Sequence, residues 1–454
     1  MPNTLHEQLL NRILEDETRS REALSQLVRE LAETDVLSVI GAQRVFLCPA
    51  VLSRREVTAL AVDLSELLDL LAALPYRLYD GDVSAMCDAV GINGVAQDAV
   101  VRTWDRNGAR LGRADLLRDT GGFKLVEFNV HSRMGGFENA ALARAVLRIP
   151  LVQQIADEMG LGFIDTFEGL SNVLWRFARP GGGGKPPVIA VMDWPTVFPT
   201  PSANRISTLL CERGFDAFPC HVGQAGARDG ALVVADRRID VVYRTFLVDD
   251  LDSTNMIGTV LSAVGSGAAN LVMCFGAELV GSKGALALLS DPVNAAAFTG
   301  HERMLIDRYV PWTRVLRPGS TVWQGREVAL PDVAVRARRS LLLKPALGRG
   351  GQGVMAGWAT PASVWREVVN RALEGPVRYV LQERVPPITD RMVWMTSAGT
   401  TTEEVVLNWG IFIFDGRYNG CIVRGDISGG QPVIGVGTGA AVACCIHPHL
   451  PSSP

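Results

Sequence analysis

The chain has 454 residues, 48% of them hydrophobic and 20% charged, and a net charge of −4. That length exceeds one simple core and implies two or three domains, while the mild acidity argues against a nucleic-acid partner, which calls for a basic stripe. No apolar run approaches the roughly 20 residues that cross a bilayer; the most apolar stretch, 267–281, is short and carries Glu278. Eight cysteines without a CxxC pair do not make a disulfide framework. The run CCIHPH near the end (Cys444, Cys445, His447, His449) lacks separated ligand pairs, so it reads as buried thiols before a frayed tail.

In chain order, the first residues are acidic and amphipathic, unlike a signal peptide, so a cytoplasmic protein is expected. Helical periodicity over 4–33 predicts one helix, packed on the body or against a second copy of the chain as a homodimer. Another helix is expected over 53–74, opened by Ser53 with Glu56 three residues on. GFKLVEFNV (122–130) reads as a strand and is followed by a helix from about 137 to 159. RPGGGGKPP (179–187) is a linker and not a phosphate loop, because prolines follow Lys185 where Ser or Thr is required. Beyond it a strand (187–194), a helix (203–214) and strands at 231–235 and 239–246 predict a parallel α/β unit. From about 276 come the strand LLLKP, a helix at 361–375, a strand at 377–385 and a hairpin around the DGR turn within 405–426.

Two stretches carry chemistry. The basic residues are forty arginines and four lysines, so a lysine kept in an apolar strand is a candidate for placing a compact ammonium on a phosphate. Lys344 is such a residue, and KPALGRGGQGV follows it with Gly348, Gly350, Gly351 and Gly353. Three of these glycines satisfy GxGxxG, but that fingerprint opens a helix directly after a strand. Here Val354, Met355 and Ala356 read as a second strand, so the glycines form a hairpin tip whose N–H groups can cradle phosphates. The second stretch is RADLLRDTGGFKLVEFN. Strand alternation puts Glu127 and Asn129 on one face and Lys124 on the other, with Asp115 on the neighbouring strand; such an oxygen set suits Mg²⁺.

Together these residues resemble an ATP-grasp ligase. KPALGRGGQGV is similar to that family's lysine and glycine-rich lid, LQERV to its hinge and VEFN to its metal-binding Glu-x-Asn. Glu-x-Asn ordinarily follows the lid. Here it precedes it by about 215 residues, which resembles the circularly permuted ATP-grasp proteins such as glutathionylspermidine synthetase, where an Arg-x-Asp pair also comes first. The resemblance implies an α/β, circularly permuted ATP-grasp fold over about 45–440. Residues 1–40 would be a helical segment, 41–180 the lobe with the metal strand and 181–275 a Rossmann-like pre-ATP-grasp domain. Residues 276–440 would be the nucleotide-binding lobe with returning strands, and 441–454 a tail.

It also implies site roles. Lys344 and Lys283 would contact ATP phosphates beneath a lid of Gly348, Gly350, Gly351 and Gly353. Gln382, Glu383 and Val385 would hold the adenine and Asp390 the ribose. Asp115, Glu127 and Asn129 would hold Mg²⁺, with Arg113 near the transferred phosphoryl group. Arg133, Arg244 and Arg424 are the candidates for clamping a substrate carboxylate. The implied reaction joins a small carboxylate to an amine through an acyl phosphate, releasing ADP, in a group that includes natural-product enzymes. A thiol acceptor, phosphotransfer, a nucleotide-binding regulator and a Rossmann oxidoreductase are the alternatives.

Overall fold

Capping and proline chemistry set many element ends in the computed structural model, which describes residues 4–34, 36, 44–105, 111–131, 134–135, 139–178, 185–251, 256–348, 350–396, 399–426 and 432–450. The single helix expected over 4–33 is two, Thr4–Leu14 and Glu17–Ala32, because Asp16 is extended and its side chain caps the Arg19 N–H. Both pack on the body: Leu9, Ile13, Leu24 and Leu27 share a core with Val393 and Ile446. Ser53 and Glu56 form the reciprocal capping box that starts the helix Arg54–Leu78. Pro150 splits the helix expected over 137–159 into Asn139–Leu147 and Pro150–Glu158, since its ring suits a first turn and not an interior.

Three sheets organise the chain. The largest has eight strands and draws on both ends of the sequence. Its main path runs Ala50–Val51, Ala441–Pro448, Arg417–Asp426, Gly399–Phe414, Leu111–Asp119, Gly122–Asn129. The helix Arg54–Leu78 packs against it through Leu60, Leu64, Leu67 and Leu71. Residues 441–454, expected as a tail, therefore begin with an interior strand in which Cys444 and Cys445 are buried. The run AVACCI is short, apolar and rich in small residues, and only its partners at 50–51 and 417–426 make it a strand. The DGR hairpin turns at Asp415 and Gly416, both with positive φ (47° and 73°), which fits a two-residue turn matched to strand twist.

The second sheet is parallel, in the order Asn270–Val272, Val241–Arg244, Val188–Asp193, Asp216–His221, with helix Pro201–Cys211 in the first crossover. Ala231–Val234, expected in this α/β unit, pairs instead with Ala225–Arg228 and Arg237–Arg238 as a small antiparallel excursion. The third sheet is antiparallel: Thr313–Val315, Tyr379–Glu383, Leu341–Pro345, Met355–Ala356. Trp365 and Val369 of helix Ala362–Glu374 bury one face of it with Leu341, Leu343 and Leu381. Its other face looks toward the large sheet across a cleft. Among the described residues no helix is long and apolar enough to cross a membrane.

Candidate active site

The strands Leu111–Asp119 and Gly122–Asn129 form a hairpin whose register sets Arg113 opposite Asn129 and Asp115 opposite Glu127. All four side chains line the cleft. A one-residue bulge at Val126 then resets the alternation. Lys124 consequently lies opposite Leu117, a cleft-lining residue, and not on the far face as strict alternation predicts; its Nζ donates to the Arg308 carbonyl at 2.5 Å.

Asp115 accepts three charged hydrogen bonds. Its Oδ1 accepts from Arg113 Nε at 2.7 Å and from Arg424 Nη2 at 3.0 Å, and its Oδ2 from Arg113 Nη2 at 3.1 Å. Burial alone would lift this carboxyl, but the two guanidiniums overrule it and hold it well below the ordinary range. Arg113 also donates through Nη1 to the carbonyls of Met134 and Gly135. Arg424 gives a further bond to Asn408 Oδ1 at 2.8 Å, while its buried Nε has no hydrogen-bond partner among the described residues. Gly410 lies between them: a Cβ there would stand 3.0 Å from Arg113 Cδ and 3.1 Å from Arg424 Nη2. Its role was missed from sequence, although a lone glycine inside the apolar run VVLNWGIFIF is the signal of a close approach.

Across the cleft, Leu341 and Leu343 bury into the third sheet's core, so Leu342 and Lys344 face the cavity. Lys344 Nζ donates to Gln382 Oε1 at 2.6 Å on the paired strand. Burial, opposed by Glu127 and reinforced by Lys283, lowers its ammonium to about 8. The glycine-rich turn joins two antiparallel strands, with positive φ at Gly348, Gly350, Gly351 and Gly353. It lacks the strand-to-helix geometry of a dinucleotide turn. Gly351 presses on the segment 432–435, where a Cβ would meet Val433 Cγ1 at 2.5 Å.

Lys283 bridges the two walls. Its helix, Lys283–Ser290, is capped by Ser282, and its backbone N–H is tied to the Ala346 carbonyl at 2.9 Å. Gly281 allows the preceding turn to approach the end of the strand Gly122–Asn129, because a Cβ there would stand 2.9 Å from Val130 N. Lys283 Nζ thereby lies 3.3 Å from Glu127 Oε1 and donates to the Gly348 carbonyl at 3.0 Å. The lysines, the glycine turn and the strand Gly122–Asn129 thus line one cavity of about 440 Å³, within the range of small-molecule sites.

The other expected residues divide. Gln382, Glu383 and Val385 line the cavity beside Trp358, whose ring carries the Arg384 guanidinium at 4.4 Å; burial raises the Glu383 carboxyl. Asp390, expected at the ribose, does not line it and instead faces Arg118 at 3.6 Å, because the chain turns away through Pro386 and Pro387. Arg244, expected at the substrate, is fully buried: it pairs with Glu278 at 2.5 Å and donates to the carbonyls of Met273, Phe246 and Cys274. Arg424 lines the cavity. Arg133 lies outside the described residues.

A divalent cation fits part of the expected oxygen set. Glu127 keeps its carboxylate at the cleft, and the buried Asn129 Nδ2 has no hydrogen-bond partner among the described residues, so its amide can present oxygen on that side after a flip. Asp115 fits poorly, with three of its roughly four acceptor positions taken. His131 Nε2 lies 3.2 Å from Asn129 Oδ1, and burial, with Arg113, Arg244 and Lys283 nearby, pushes its imidazole down to about 3, so the ring is neutral. Among the described residues no three His, Cys, Asp or Glu side chains converge to hold a metal. A cation here would lean on Glu127, Asn129 and oxygens brought by a ligand, a pattern that suits Mg²⁺ with phosphates.

No protein-family model matches this chain, and no curated protein sequence matches it. Solved structures do. A glutathione synthetase-like effector from Globodera pallida, in its apo form, aligns with 98% of this chain and 97% of its own at a TM-score of 0.57 and 14% identity. A candidate gamma-glutamylcysteine synthetase from Methylobacillus flagellatus aligns with 85% of this chain and 88% of its own at 0.44 and 10%, too loose a likeness to carry weight. The chain therefore shares, nearly end to end, the mixed α/β fold of a glutathione synthetase-like protein.

Proposed function

We propose that this protein is a ligase of the circularly permuted ATP-grasp type, which uses ATP and Mg²⁺ to join a small carboxylate to an amine. The observation that carries the reading is the meeting of Lys283, Lys344, the glycine turn and Glu127 around one cavity. These groups come from distant parts of the chain, and their chemistry is that of polyphosphate binding. Lys344 and Lys283 neutralise phosphate charge, and the glycine turn offers backbone N–H groups that need no reorganisation. Glu127 and Asn129 would hold Mg²⁺, which supplies further neutralisation on phosphate oxygens. Gln382 fixes Lys344 by its 2.6 Å bond. Arg424 offers its Nε, which has no hydrogen-bond partner among the described residues, where the substrate carboxylate would meet the terminal phosphoryl group.

In the proposed reaction the carboxylate takes the terminal phosphoryl group, giving an acyl phosphate and ADP. The amine then attacks the acyl carbon and phosphate leaves. Closure of the glycine turn over the cavity excludes water, which would otherwise hydrolyse the acyl phosphate.

A screen of amino acids and short peptides for ATP-dependent release of ADP and phosphate tests the proposal, with hydroxylamine trapping the activated acid as a hydroxamate. Release of AMP and pyrophosphate would overturn it. Glu127→Gln should lower turnover by at least 100-fold, and unchanged turnover would remove Glu127 from the site.

A further inference from the structure

We infer that Asp115 is not a ligand of the divalent cation but the positioning residue that locks two guanidiniums side by side, and that position 410 is glycine so that they can meet. The inference rests on the nucleotide reading of the cleft. Two like charges approach this closely only with a countercharge between them, and Asp115 Oδ1 is shared by Arg113 Nε and Arg424 Nη2 at 2.7 and 3.0 Å. An oxygen that already accepts two charged hydrogen bonds is a poor ligand for a hard cation. Its Oδ2 already accepts from Arg113 Nη2, so a cation bound there would compete with that bond and draw the countercharge away from two buried guanidiniums. Glu127, directly opposite in the hairpin, has among the described residues only the longer 3.3 Å hydrogen bond from Lys283 and is the better ligand.

The path to Asp115 crosses the neighbouring strand. Asp115 pairs with Gly410, and Gly410 pairs with Ile422. Arg113 comes from Asp115's own strand and Arg424 from beyond Gly410, so both side chains pass over the space where a side chain at 410 would stand. A Cβ there would sit 2.9 Å from Ile422 Cγ2 as well as 3.0 and 3.1 Å from the two arginines. The strand φ of Gly410 is not in the left-handed region, so backbone conformation does not require glycine. Clearance does. Arg113 is consumed by Asp115 and by the carbonyls of Met134 and Gly135, whereas Arg424 keeps a buried Nε–H without an acceptor among the described residues. Held by Asp115 through its Nη2, Arg424 presents that donor to an anionic group of the ligand, in the same cavity as the two lysines.

Calorimetric titration with ADP across a range of Mg²⁺ concentrations, and with the β,γ-imido analogue of ATP, separates the roles. Glu127→Gln should shift the Mg²⁺ midpoint of ADP binding at least tenfold. Asp115→Asn and Gly410→Ala should leave that midpoint within twofold, yet each should weaken the imido analogue about tenfold relative to ADP. The double variant should be no weaker than either single one, because both break one device. A Mg²⁺ midpoint that moves in Asp115→Asn as it does in Glu127→Gln would make Asp115 a metal ligand and overturn the inference. A Gly410→Ala enzyme that binds the imido analogue like wild type would refute the clearance argument. Wild type that binds neither nucleotide at any Mg²⁺ concentration would overturn the nucleotide reading, and this inference with it.

Discussion

Lys344 should make nucleotide binding depend on pH between about 8 and 10.5. Burial is the main cause that lowers its ammonium from 10.5 to about 8, with Lys283 adding to it and Glu127 opposing. A polyphosphate beside it supplies the missing countercharge and lifts the group back toward its ordinary value. The protonated lysine is the binding form, so affinity is full below pH 8 and falls as pH rises from 8 toward 10.5. A shift of that size corresponds to about 3 kcal/mol, or roughly 300-fold in affinity across the window. At pH 9 only about a tenth of the free protein carries this proton, so binding of ADP with Mg²⁺ should take up about 0.9 proton. Titration calorimetry at pH 9 in two buffers of different ionisation enthalpy reads the uptake directly. Lys344→Met should abolish it and flatten the affinity profile. Equal uptake in wild type and variant, or wild-type affinity that stays level from pH 8 to 10, refutes the placing of Lys344 against phosphates.

Three other substitutions probe the scaffold around the site. Arg244→Met leaves Glu278 buried without its partner and should cost about 3–5 kcal/mol, seen as a large drop in melting temperature; an unchanged melting point with weakened substrate binding would return Arg244 to the site. Gly351→Ala sets a Cβ 2.5 Å from Val433 Cγ1 and should weaken ADP several-fold, while Gly350→Ala, which points into open space, should do less; the reverse order would contradict the packing of the turn on 432–435. Ser53→Ala removes the capping box of a long core helix and should cost about 1 kcal/mol, measured as a lower urea midpoint. An unmoved midpoint would mean the cap is not limiting.

Much of the site is legible in the sequence because its residues sit in short motifs with simple geometry. The spacing of Arg113, Asp115, Glu127 and Asn129 encodes a hairpin, and the hairpin's register puts them in two facing pairs. Lys344 and the glycines declare a strand and a tip within a dozen residues. What escapes is decided by contacts remote in sequence. The bulge at Val126 moves Lys124 to the cleft side, and strict alternation cannot foresee one extra residue. Arg244 resembles any strand-end arginine until Glu278 and three carbonyls close around it. Asp390 follows the hinge by a few residues, but the intervening prolines steer it to Arg118. Ala441–Pro448 looks like a chain end because its neighbours lie hundreds of residues earlier or on the preceding hairpin.

The way the large sheet is stitched also sets a clock on the protein's synthesis. The hairpin bearing Glu127 finds its next neighbour only when Asn408 can pair with Leu117, roughly 300 residues later in translation. At about 5–20 residues per second, that edge waits on the order of 15–60 s with its backbone donors and acceptors open. The strand Ala50–Val51 waits longer still, until its partner Ala441–Pro448 is made near the end of the chain. Elongation rate and chaperone supply should therefore affect the yield of this protein more than that of one whose sheet strands pair in sequence order.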